Sequence, residues 1–103
     1  MESNESSAVE FKIDLPEDIA EGIYSNMALV SQSPEEFVID FVRMIPGRHS
    51  AKVHSRVILN PANTKRLLNL LGQHVYAHEQ QFGKIFLAEE LEGSPNAMPE
   101  GQA

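Results

Sequence analysis

The stretch EFVIDFVRMI, from Glu36 to Ile45, decides the fold. It is rich in β-branched and aromatic residues, and apolar side chains occur in both alternating registers, which is typical of a strand that is covered on both faces. One register, the Phe37 face, holds Phe37, Ile39, Phe41 and Ile45. The other register, the Val42 face, holds Val38, Val42 and Met44, with Asp40 among them. The central strand therefore needs two covers.

The segments on either side of this stretch predict three further strands. Val9–Leu15, VEFKIDL, alternates strictly between apolar and charged residues, as an edge strand with one wet face does. Ile23–Gln32 is interpreted as a strand that pairs with the central one across the turn Ser33-Pro34-Glu35. In that register Ile23, Met27 and Leu29 fall on the Phe37 face, and Tyr24, Ala28 and Val30 fall on the Val42 face.

The last strand, Lys52–Leu59, follows a turn in which Pro46-Gly47 fits the middle of type II. Its Val53, Val57 and Leu59 are expected on the Phe37 face, and its Lys52, His54, Arg56 and Ile58 on the Val42 face. Basic side chains would therefore lie beside the apolar residues of the Val42 face.

A helix is predicted from Asn60-Pro61 to about Phe82, with Asn60 as N-cap and Gly83 as the stop. Its apolar side chains recur at helical spacing and should cover the Phe37 face. Gly72 within it suggests a close approach to the sheet.

The fold expected is α+β: a four-stranded antiparallel meander with one C-terminal helix packed on one face, ββββα, and with the other face used either for a dimer contact or for docking a partner. Residues 9–83 form the single domain in this interpretation. Residues 1–8 are a disordered acidic tail, and residues 84–103 are a short helical extension followed by a second disordered acidic tail.

Composition excludes several classes of function. The chain has no cysteine, which removes disulfides, thiolate metal sites and thiol nucleophiles. The acidic, polar start is unlike a signal peptide and no apolar run has membrane-spanning length, so we expect a cytoplasmic protein that does not enter a membrane. The formal net charge is −7, yet the segment from Arg43 to Arg66 contains no acidic residue.

Two sets of residues are candidate binding surfaces. The apolar set comprises Tyr24, Val30, Val38, Val42, Met44 and Ile58. The basic set, for a protein partner or nucleic acid, comprises Arg48, Lys52, His54, Arg56, Lys65 and Arg66. Two structural explanations of the apolar set carry equal weight with each other. One is a core face covered by the chain's own residues after Gly83, and the other is self-association. A solvated face explains the basic set.

Catalytic and cofactor sites are not recognisable in the sequence. His74 and His78 lie one helical turn apart, a spacing that suits a metal, but Val75 stands where the helix-borne zinc signature has glutamate. Ordinary helix histidines are the simpler interpretation. We therefore expect no enzyme, no metal and no cofactor.

Four motifs resemble a bacterial family known as domain of unknown function thirty-four sixty-seven. They are AEGIYSN at Ala20, SPEEFV at Ser33, V-x-S-R-V-I at Val53 and N-P-x-x-x-K-R-L-L at Asn60, within a match from Glu10 to Gly83. The resemblance implies no activity and no catalytic residue. Similar proteins are sometimes encoded beside the large RNA polymerase subunits, which implies an accessory role in transcription.

The function expected is therefore that of a non-enzymatic accessory or adaptor module on a cytoplasmic machine, with RNA polymerase as the best guess for the protein partner. Two alternatives stay open. One is direct nucleic-acid binding through the basic hairpin and helix start. The other is a holdase-type chaperone with an apolar groove in its sheet.

Overall fold

The computed structural model describes residues 10–91 and contains one antiparallel sheet and one long helix. The strands are β1 (Met27–Gln32), β2 (Phe37–Met44) and β3 (Ala51–Leu59), and the helices are α1 (Glu17–Ala20), α2 (Pro61–Phe82) and α3 (Ala88–Leu91). The sheet order is β1-β2-β3, so the stretch that we singled out forms the central strand. The α+β class, the antiparallel sheet and the C-terminal helix are confirmed.

The predicted first strand is absent from the described residues. Residues 10–16 belong to no strand, and Val9 lies outside the described part. The alternation of Phe11, Ile13 and Leu15 is compatible with a strand, but a strand also needs a neighbouring edge, which a periodic pattern does not supply. Within the described part of the chain, the sheet therefore has three strands.

Strand β1 is shorter than expected and presents its faces the other way round. The Ser33 N–H donates to the Glu36 carbonyl at 2.8 Å, so the turn has two residues instead of three. In antiparallel register this pairing sets Met27 opposite Val42 and leaves Val30 on the Phe37 face. Because a shift of one residue turns every side chain over, the face prediction for β1 is wrong.

The predicted turn at Pro46-Gly47 and both predicted ends of α2 are confirmed. The Arg48 N–H donates to the Ile45 carbonyl at 3.1 Å, and Gly47 has a φ of 84°, as the third residue of a type II turn requires. The Asn60 side chain accepts a hydrogen bond from the Asn63 N–H at 2.8 Å, and α2 ends at Gly83.

Backbone contacts divide the chain into two compact units. Within the described residues, one unit comprises 10–32 and 38–58, and the other comprises 33–37 and 59–91. No residue of α2 is buried, and a Cβ added to Gly72 would meet no atom within 4 Å. The close approach of Gly72 to the sheet and the packing of α2 over the Phe37 face both stay predictions.

The core of the described chain is very small. Val42 is its one buried hydrophobic residue, with 3% of its surface exposed, and no polar residue in the described part is buried. An ordinary domain of this length buries well over half of the surface that its unfolded chain exposes. Most apolar side chains of both units face solvent.

Candidate functional site

The Val42 face carries the apolar residues that we predicted for β2 and β3. Val38 is half-buried, whereas Met44 and Ile58 are 47% and 55% exposed. Val42, on the same face, is buried with 3% of its surface exposed. The exposed apolar side chains of this face are therefore Met44 and Ile58.

Two members of the predicted apolar set lie elsewhere. Tyr24 is 66% exposed, and its ring centroid lies 5.4 Å from the guanidinium carbon of Arg43, a cation–π distance. Arg43 alternates with Val42 and so belongs to the Phe37 face. Val30 follows the register of β1 to the same face. Tyr24 and Val30 are therefore separated from Val38, Met44 and Ile58.

An ion pair between β2 and β3 crosses the Val42 face. The Arg56 Nε donates to Asp40 Oδ1 at 2.7 Å and its Nη2 donates to Oδ2 at 2.9 Å, a bidentate arrangement. The Asp40 side chain is 14% exposed and that of Arg56 is 61% exposed. Strict alternation along β3 then puts His54 and Ile58 on the same face, as predicted.

The ion pair changes the acidity of both groups. Hydrogen bonds from the Arg56 guanidinium have the largest effect and lower the pKa of Asp40. Desolvation opposes them and raises the pKa, and the positive charge of Arg56 adds a smaller lowering effect. The same hydrogen bonds and the charge of Asp40 raise the pKa of Arg56. Arg56 stays protonated, and Asp40 compensates part of its positive charge. The sequence did not reveal this pair because the two residues are sixteen positions apart.

Most other members of the basic set surround the β2–β3 turn. A hollow of about 350 Å³ is lined by Arg43, Ile45, Arg48, Ser50, Ala51, Lys52 and His54. Arg48, Lys52 and His54 are exposed. The structure therefore brings these three predicted side chains together at one end of the sheet.

Lys65 and Arg66 belong to the other compact unit. Lys65 lines a hollow of about 360 Å³ together with Phe37, Pro61, Thr64 and Leu68. The Arg66 Nη1 donates to the Asn63 side-chain oxygen at 2.7 Å. These two residues occupy the first turns of α2 and are described within that unit alone.

The start of β1 contains a contact that the sequence did not reveal. The Asn26 side-chain oxygen accepts from the Met44 N–H at 2.8 Å, and its amide nitrogen donates to the Met44 carbonyl at 2.9 Å. The Asn26 N–H donates to the Val42 carbonyl, and the Ser25 hydroxyl donates to the same oxygen at 3.0 Å. Asn26 thus replaces a backbone pair of the ladder, which explains why β1 begins at Met27.

A second apolar hollow lies on the Phe37 face of the sheet. It measures about 360 Å³ and is lined by Asp18, Ile19, Gly22, Ile23, Ser25, Phe41 and Ser55. Ile19 and Ile23 are 62% and 60% exposed despite this position. The segment that contains α1 therefore lies against the sheet without burying its own apolar side chains.

The two helix histidines do not make a metal site with other ligands. No group of three or more histidine or acidic side chains within residues 10–91 could hold an ion. The His78 ring packs against Phe82, with 4.8 Å between the ring centroids and an angle of 49°.

Comparison with known proteins places the chain in a family. The profile of the family described as "Protein of unknown function (DUF3467)" matches residues 1–87. The chain belongs to the DUF3467 family. It matches none of the curated proteins and none of the solved structures.

The motifs that carry the family resemblance build the sheet and start the helix of this DUF3467 protein. Ser25 and Asn26 hold the beginning of β1 against β2. The Ser33 hydroxyl accepts from the Glu36 N–H at 3.2 Å in the β1–β2 turn, and Asn60 caps α2. Among the described helices of this DUF3467 protein, none is both long enough and apolar enough to cross a membrane.

Proposed function

We propose that the chain is a non-enzymatic protein-interaction module that docks on a cytoplasmic macromolecular machine. The observation that supports this proposal is the exposure of the apolar residues, because Val42 alone is buried among the large hydrophobic residues described. Monomeric soluble proteins rarely leave large contiguous apolar areas in water. A surface of this kind is typical of a chain that works in a complex.

The Val42 face is the docking surface that we propose. Met44 and Ile58 supply exposed apolar contacts, with Val38 and the buried Val42 on the same face. Lys52, His54 and Arg48 surround this face at the β2–β3 turn and would select an acidic partner surface. The Asp40–Arg56 pair between them links the two strands with two hydrogen bonds.

RNA polymerase is the partner that we propose, on the strength of the family resemblance alone. The test is purification of the full-length tagged chain from its own cells under native conditions. We expect a polymerase subunit in stoichiometric amount. Recovery of a different stoichiometric partner would support an interaction module but contradict RNA polymerase as its partner. Recovery of no stoichiometric partner would contradict the proposed function as a whole.

A matched pair of variants tests which face docks. Ile58→Asp places a charge on the Val42 face, and Val30→Asp places the same charge on the Phe37 face, away from the edge strand β3. Val30 and Ile58 are 59% and 55% exposed, so neither change buries a charge. We expect Ile58→Asp to lower recovery of the partner at least tenfold and Val30→Asp to leave it near the wild-type level, with circular dichroism as the folding control. Equal losses would show that the Val42 face is not the docking surface.

Direct nucleic-acid binding is the second candidate, because Arg43, Arg48, Lys52 and His54 line one hollow and no acid interrupts the segment from 43 to 66. It predicts an affinity for DNA or RNA that falls steeply as salt rises. A weak affinity that does not change between about 50 and 200 mM salt would contradict nucleic-acid binding.

The exposed apolar surface also suits a holdase. A holdase suppresses the aggregation of several unrelated unfolded proteins, whereas an adaptor binds one partner. Light scattering with two unrelated clients distinguishes the two functions, and we expect no suppression.

A further inference from the structure

The segment Glu10–Leu15, which we call the arm, has a strand sequence without a strand partner. Phe11, Ile13 and Leu15 are 84%, 83% and 67% exposed. The arm's backbone makes no hydrogen bond to any other described residue. Among the described residues, the arm therefore has neither a surface that covers its apolar side chains nor a strand that pairs with its peptide groups. Exposed strand edges of this kind tend to pair with another strand.

Strand β3 offers an edge that is longer than the six-residue arm and has a matching pattern. It is nine residues long and forms one side of the sheet, so half of its peptide groups face outward. Val53 and Val57 on one face are 46% and 38% exposed, and Lys52, His54 and Arg56 occupy the other. An edge strand of this length that stays open is a template for another strand.

Charge favours β3 over the other edge. The arm alternates its apolar row with Glu10, Lys12 and Asp14, which carry a net charge of −1. Laid beside β3 with its apolar side chains on the Phe37 face, the arm places Glu10, Lys12 and Asp14 along the row that holds Lys52 and His54, so a row with a net charge of −1 meets a basic row. Strand β1, MALVSQ, has no charged residue with which they could pair.

The single chain does not join these two features, although they lie in the same compact unit. Residues of α1 line a hollow with Ser55 of β3, yet within residues 10–91 neither the arm nor the outer edge of β3 has a backbone partner. A second copy is present wherever the chain is present, and a twofold axis would join arm to edge twice.

We infer that the chain forms a homodimer by reciprocal strand addition, in which the arm of each copy pairs along β3 of the other. The fourth strand of the sheet then comes from the partner copy. Phe11, Ile13 and Leu15 extend the apolar row of Val53 and Val57, and the acidic side chains of the arm neutralise the basic side of β3. Lys52 and His54 then belong to the dimer contact, and Arg48 remains at the β2–β3 turn for the acidic surface of the proposed external partner.

Charge exchange between two variants tests the dimer. Glu10→Lys with Asp14→Lys makes the arm basic, and Lys52→Glu with His54→Glu makes the edge acidic, while Arg56 and its pair with Asp40 stay unchanged. We expect the wild type to sediment as two chains of 11.5 kDa each and either variant alone to dimerise at least about tenfold more weakly. Glu35→Lys with Glu36→Lys, an equal change in charge at the β1–β2 turn, is the matched control and should dimerise normally.

Mixing the two variants separates exchange between copies from pairing within one chain. In a mixed dimer the basic arm meets the acidic edge, and the wild-type arm meets the wild-type edge, so both contacts are favourable. We expect the mixture to recover wild-type dimerisation. A monomeric wild type, an arm variant that dimerises normally, or a mixture that remains monomeric would each overturn the inference.

Amide hydrogen exchange of the wild type supplies a readout that needs no variant. The N–H groups of residues 11–15 should become protected as the protein concentration rises through the dimerisation constant. Rapid exchange of the arm at every concentration would overturn the inference even if the variants failed to fold. Polymerase binding is not measured in any of these experiments, so the two proposals fail separately.

Discussion

At the scale of single residues, side chains at the ends and centre of β2 fix the sheet. Asp40 holds Arg56 across β2 and β3 with two hydrogen bonds, and Asn26 holds Met44 across β1 and β2 with two more. With Val42 as the one buried hydrophobic residue described, these polar contacts carry an unusual share of the specificity of the single chain. Both contacts can be tested by conservative substitution.

The Asp40–Arg56 pair predicts a pH dependence of stability. The pKa of Asp40 is lower in the folded protein than in the unfolded chain, where it is about 3.9. Its contribution is therefore fully present above the unfolded pKa and is lost as the pH falls through the folded pKa. In urea titrations from pH 7 to pH 2, Asp40→Asn should be less stable than the wild type at pH 7, and the difference should vanish toward pH 2. The control Glu36→Gln should show a smaller difference at pH 7, and a difference for Asp40→Asn that grows on acidification would contradict the assignment.

The Asn26 side chain predicts a loss of stability without a loss of core volume. Asn26→Ala removes both hydrogen bonds to the Met44 backbone and should lower the free energy of unfolding by about 1 to 2 kcal/mol. Asn69→Ala, on the exposed surface of α2, is the matched control and should be neutral or slightly stabilising. Urea unfolding measures both. If the two substitutions changed the free energy of unfolding equally, the proposed structural role of the Asn26 side chain would be wrong.

At the scale of elements, the sequence predicted what is encoded locally. The cap at Asn60, the stop at Gly83 and the Pro46-Gly47 turn each depend on neighbouring residues, and each was predicted correctly. The faces of β1 were not, because one residue fewer in the turn at Ser33 reverses them. Pairings between distant residues, such as Asp40 with Arg56, leave no local pattern to read.

The candidate site was predictable to the same extent. Alternation along β3 correctly grouped Lys52, His54, Arg56 and Ile58 on one face, because strand periodicity is local. Tyr24 and Val30 were misplaced, because their faces depend on the β1–β2 turn and on the contact with Arg43. The strand partner of residues 10–15 could not be predicted either, because an alternating pattern indicates a strand but does not identify the sheet edge with which it pairs.

Helix α2 predicts opposite effects for two glycine-to-alanine substitutions. Gly72 is exposed inside the helix and has open space where a Cβ would stand, so Gly72→Ala should stabilise the protein by about 1 kcal/mol. Gly47 has a φ of 84°, so Gly47→Ala should destabilise it by about 1 to 2 kcal/mol. Thermal unfolding followed at 222 nm, the usual helix wavelength, compares them. Destabilisation by Gly72→Ala would mean that another chain packs closely against this helix.

At the scale of the whole molecule, residues 10–91 leave most of their large apolar side chains in water. Ile13, Leu68 and Phe82, taken from three separate segments, are 83%, 66% and 67% exposed. The hydrophobic effect, the dominant favourable term in folding, is therefore largely unused in the described single chain. A second copy would bury part of this surface and leave the Val42 face for the partner that we propose.

The dependence of stability on protein concentration tests this account most directly. If folding requires a second copy, a hundredfold increase in the concentration of the purified full chain adds about 2.7 kcal/mol to its apparent stability, which moves the urea midpoint upward by on the order of 1 M. A cooperative transition whose midpoint stays constant over the same hundredfold range would contradict the account, because it would show that one chain folds without help.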